Sequence, residues 1–100
     1  MRAAEQRLGG TGARMNGQAL LTELEGLAQK LEVEVVYDHF AGDTPSAGGL
    51  CKLRGRWRVM VERHASPAEK ASILARCLGD FDLEQHYVSP AVRQLIERRR

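Results

Sequence analysis

The stretch LCKLRGRWRVMVE, residues 50–62, decides how the rest of the chain must be arranged. Apolar residues alternate with Lys and Arg on both sides of Gly55, the period-two pattern of two strands joined by a turn. Loop length then sets which side chains share a face. A two-residue loop at Arg54 and Gly55 would set Leu53 opposite Arg56, whereas an odd loop places Cys51, Trp57, Val59 and Val61 together. We adopt the odd loop, under which Lys52, Arg56 and Arg58 gather on a wet, cationic face and Trp57 joins the core.

Upstream, VEVVY at 33–37 is rich in β-branched residues and alternates Val33, Val35 and Tyr37 against Glu34 and Val36, as a half-buried strand does. Between it and the hairpin, DHFAGDTPSAGG packs Gly, Pro, Asp and Ser into a loop. Gly48 and Gly49 at its end suit a close approach between backbones. Before the strand, Leu20, Leu21, Leu24, Leu27, Ala28 and Leu31 recur at helical spacing, with Asn16 placed to cap the first turn. Residues 1–16, with GGTG and scattered Arg, lack an apolar face and read as disordered.

Downstream, SPAE at 66–69 is a helix start in which Ser66 and Glu69 cap each other and Pro67 presets the first turn. Ala71, Leu74, Ala75 and Leu78 form its buried stripe, widened by Ile73 and Cys77, and Gly79 stops it. A short helix capped by Asp82 is expected next. Ser89-Pro90 then repeats the start signal ahead of Val92, Leu95 and Ile96. The sequence therefore predicts one α+β domain over 17–98: a small, mostly antiparallel three-stranded sheet with three to four helices on one face. The predicted order is helix, three strands, helix, short helix, helix.

Among 100 residues, 15 basic and 13 acidic side chains give a formal charge of +2, too even a balance for a protein whose main partner is bulk nucleic acid. No apolar run approaches the roughly 18 residues that span a bilayer, and no apolar stretch follows Arg2 as in a secretory signal. Cys51 and Cys77 lie in segments expected to be buried and have no CxxC or Cys/His spacing. They read as free thiols of a cytoplasmic protein.

Leu74-Ala75-Arg76-Cys77-Leu78-Gly79-Asp80-Phe81 has the frame of the L-A-H-E-L-G-H-F helix of the ImmA/IrrE zinc metallopeptidases, and Tyr87-Val88-Ser89-Pro90-Ala91-Val92-Arg93 resembles that family's later L-L-M-P segment. The resemblance implies a small sheet leading into a zinc-binding helix. The ligands it would require are missing here: Arg76 and Asp80 stand at the His positions and Cys77 at the Glu position. A guanidinium repels a cation and cannot lose its proton, so no metal site, no catalytic residue and no cofactor is expected on this helix. Arg76 and Asp80, four residues apart, are expected instead to occupy the vacated cleft.

Other candidates are weaker. His39, His64 and His86 are scattered, without ligand spacing. Ser66 and Ser89 belong to helix starts. SAGG at 46–49 lacks the Lys and helix of a phosphate loop. The candidate binding residues are Lys52, Arg56, Arg58, Arg76 and Asp80. They support a non-catalytic module that binds another protein or itself, or alternatively a small nucleic-acid-binding protein using the basic hairpin.

Overall fold

In the computed structural model the described residues are 16–39 and 48–99, so the disorder expected for the N-terminal segment and the middle of the 38–49 loop lie outside them. The element order is α1 (Gly17–Lys30), β1 (Glu34–Asp38), β2 (Gly48–Leu53), β3 (Arg56–Glu62), α2 (Pro67–Leu78) and α3 (Pro90–Arg99). No helix among the described residues is long and apolar enough to cross a membrane.

The caps form as their sequences require. Asn16 accepts from the Ala19 N–H at 2.7 Å, and Ser66 and Glu69 make a reciprocal capping box. Ser89 accepts from the Val92 N–H at 3.3 Å and starts α3. Gly79 ends α2 at a buried position with right-handed dihedrals, so the stop does not use a positive φ. Residues 80–89 form an irregular connection with a turn at Glu84 and Gln85: Asp82 accepts from the Glu84 N–H at 3.0 Å and His86 N–H donates to Leu83 O at 3.1 Å. The expected short helix is therefore absent, because the Asp82 side chain closes a local turn that competes with a helical ladder.

The sheet is mixed, in the order β1-β3-β2. β2 and β3 pair antiparallel, while β1 pairs parallel to β3 with Glu34 opposite Arg58 and Asp38 opposite Glu62. A mostly antiparallel sheet was the expectation. The parallel pair arises because β1 and β3 run the same way with the edge strand β2 between them in sequence.

The hairpin corrects the odd-loop reading. Leu53 lies opposite Arg56, so the loop is Arg54 and Gly55 alone. Both residues have positive φ, 55° and 79°, the backbone of a type I′ turn, whose twist matches that of paired strands. The register then reverses one strand relative to expectation. Cys51 faces the same side as Arg58 and is exposed, whereas Lys52 sits opposite Trp57 on the helix side. Lys52, Arg56 and Arg58 do not share a face.

Both α1 and α2 pack on the face carrying Val35, Tyr37, Val59 and Val61. Val59 and Val61 are fully buried against Leu24, Leu74 and Leu78, and each such side chain contributes about 1.5–3 kcal/mol of apolar burial. Trp57 is in phase with these valines but lies at the rim, 37 % exposed, edge-on to Phe81 at 5.8 Å and under the Lys52 ammonium at 5.2 Å. It is not a core residue, because the strand runs past the end of the helix layer.

Tyr37 joins the two helices to the sheet. Its hydroxyl donates to Glu25 of α1, and the Lys70 ammonium of α2 lies 5.1 Å from the ring centre. Burial, then the hydrogen bond and negative charge of Glu25, hold the phenol far above its ordinary range. A folded pKa above the unfolded value stabilises the native state below pH about 10, and this is lost as pH rises further. Wild type is accordingly expected to lose stability more steeply than Tyr37→Phe above that pH in urea melts. Cys77, whose thiol burial pushes up, adds a slope of the same sign to both proteins and cancels from the comparison. Parallel profiles would show that the phenol is not held by its site.

Candidate functional site

The pleat exposes the sheet's second face. Arg56, Arg58, Met60 and Glu62 of β3 point to it, with Cys51 and Leu53 of β2 and Glu34, Val36 and Asp38 of β1 beside them. Among the described residues no helix covers this face. Val36 and Met60 are half-buried at its centre and Leu53 is 48 % exposed at one end.

The charge on this face is largely balanced. Arg58 contacts one carboxylate oxygen of Glu34 through both Nε at 3.0 Å and Nη2 at 2.9 Å. Arg56 is exposed, and Lys52 is on the opposite side against Trp57. The three cations thus divide into a paired arginine, an exposed arginine and a lysine on a ring, and form no continuous track for phosphates.

β2 is an edge strand. In a two-residue hairpin the residues flanking the turn bond to each other, so Leu53, Cys51 and Gly49 face β3 and the peptide groups of Leu50 and Lys52 face outward. At the start of this edge Arg76 Nη2 donates to the outward Gly48 carbonyl at 3.1 Å. Gly48 itself is a close-approach residue, since a Cβ there would collide with the Met60 carbonyl oxygen; Gly49 has open space.

That hydrogen bond also places the residues expected to fill a vacated cleft. Arg76 reaches along the sheet edge to Gly48 rather than to Asp80, and it lines a shallow groove with Ser72, Ile73 and Arg99. Asp80 is exposed in the turn after α2 and does not line that groove. Cys77 is buried, and its thiol is held up by that burial against the lowering effect of Arg76. A guanidinium directed at a carbonyl, a buried protonated thiol and a solvated carboxylate do not fit the zinc that the family frame would imply, so no step through such an ion follows.

Two of the scattered histidines do come together. His39, just after β1, and His64, just after β3, stack edge-on with ring centres 5.2 Å apart, while His86 is not part of the group. Glu62 completes the cluster and was not among the sequence candidates. The available signal was Glu62-x-His64, two residues apart at a strand end and hence on one side.

No protein-family model, curated protein or solved structure matches this chain.

Proposed function

We propose that the chain is a non-catalytic protein-interaction module, built on a zinc-peptidase-like scaffold whose helix carries no metal ligands, and that it binds another protein or a second copy of itself. The observation that carries this reading is the sheet face that no helix among the described residues covers, with Val36 and Met60 half-buried at its centre and Leu53 exposed beside them. An apolar patch on a sheet with one helical layer is stabilised by a partner that covers it. The Arg58–Glu34 pair favours a protein partner over phosphate, because its charge is already neutralised. The outward peptide groups of Leu50 and Lys52 add a strand-pairing edge. Two unpaired thiols, Cys51 and Cys77, fit a cytoplasmic setting.

A second reading rests on Trp57, a half-exposed ring beside Lys52, which is the pairing that single-stranded nucleic acid uses. The two readings separate on salt and on mutation. Self-association is followed by sedimentation over a range of concentrations, and a captured partner is purified and titrated. The complex is expected to be salt-tolerant, to weaken by about tenfold or more in Leu53→Asp/Met60→Asp, and to be unchanged in Lys52→Ala, whose side chain lies on the other side of the sheet against Trp57. A complex that instead loses about a thousandfold between about 50 and 200 mM salt, and is abolished by Lys52→Ala/Trp57→Ala, replaces the first reading with the second.

A further inference from the structure

The parallel pairing of β1 with β3 has a chemical result at the end where both strands stop. Asp38 and Glu62 are register partners, and the Arg63 N–H donates to Asp38 O at 2.8 Å, so the two chains leave the sheet side by side. His39 follows one strand and His64 the other. One carboxylate oxygen of Glu62, whose side chain is 19 % exposed, lies 3.4 Å from His39 Nδ1 and accepts the His64 backbone N–H at 3.0 Å. The ligand-type atoms of His39, Glu62 and His64 all lie within 4.8 Å of one another.

We propose that His39, Glu62 and His64 bind a single divalent transition-metal ion of the zinc class, with a coordination position left open to water. Two imidazoles and one carboxylate suit such ions, whereas calcium and magnesium prefer oxygen donors alone. The spacing fits as well. Two donors about 2.1 Å from an ion at a tetrahedral angle are about 3.4 Å apart, the separation of His39 Nδ1 from Glu62 Oε2. The imidazole of the exposed His64 closes the remaining distance by side-chain rotation, with no movement of the sheet. Glu62 is held in place by the His64 backbone N–H, the kind of outer contact that orients a metal-binding carboxylate. The ion would fasten the end of β1 to the end of β3, and it goes beyond the protein-binding reading without depending on it.

The test is titration of the metal-stripped full chain with Zn²⁺ by calorimetry and with Co²⁺ by visible absorption. Wild type is expected to take up one equivalent of either ion, with a Co²⁺ spectrum of low coordination number and no thiolate charge-transfer band. Saturation ties two strands together, so Tm should rise by about 10 °C at a hundredfold excess over Kd. His39→Gln and His64→Gln should each weaken Zn²⁺ binding by about tenfold or more, as should Glu62→Gln. Cys51→Ser and His86→Gln should leave the isotherm unchanged. The two histidines are exposed, so their variants test the site even if the Glu62 variant does not fold. Substoichiometric uptake by wild type, an isotherm indifferent to both histidine variants, or binding lost in Cys51→Ser would overturn the proposal.

Discussion

Gly48→Ala is expected to destabilise the domain by about 3 kcal/mol, from the addition of a single methyl group. The added Cβ would overlap the Met60 carbonyl oxygen and press on Ile73 Cγ2 at 3.1 Å. A flexible side chain could swing away, but the carbonyl belongs to the central strand and is bound into the ladder. Relief therefore requires β2 to lift from β3, and with it the Arg76 contact to Gly48 O. Gly49→Ala is the control, because nothing lies within 4 Å of its Cβ position, and it should be within about 0.5 kcal/mol of wild type. Urea denaturation of the pair decides the matter. Equal midpoints would mean that the strands are not this close.

Leu74→Ala should cost about 2–5 kcal/mol, and lower Tm by at least about 10 °C. Leu74 is fully buried, on the stripe of α2 that faces both the sheet and the other helices. A cavity there cannot collapse readily, since α1, α3 and β3 all lean on the same helix. For a domain of this size such a loss is a large share of the total stability. Leu53→Ala removes as many atoms from an exposed position and should barely shift the midpoint. Similar losses for the two leucines would contradict the placement of the core on one side of the sheet.

The helices were legible because their signals are local. Asn16, Ser66-Pro67-Glu69 and Ser89-Pro90 each satisfy backbone groups within one turn, and the stripes they introduce are the stripes that are buried. The hairpin existed in the sequence but its register did not. A type I′ turn ordinarily announces itself by Asn-Gly or Asp-Gly, and here Arg54 takes the left-handed position, an uncommon choice for a residue with a Cβ. With that signal missing, the alternation favours the odd loop, and a shift of one residue sends Cys51 and Lys52 to each other's sides. Strand order was out of reach for a different reason. Nothing in VEVVY says that its neighbour is the second strand of the hairpin and not the first. The cluster of His39, Glu62 and His64 inherits that difficulty, because only the parallel register makes residues so far apart in sequence neighbours.

Placing β3 at the centre of the sheet also governs what can happen during synthesis. A chain emerging from the ribosome presents α1 and β1 first, yet β1 pairs only with β3 and α1 packs mainly on α2. The β2–β3 hairpin can close locally as soon as it appears, while the earlier strand waits for that hairpin to offer its far side. The N-terminal part is then a late arrival in its own domain, and its apolar stripe stays unsheltered until translation has passed α2.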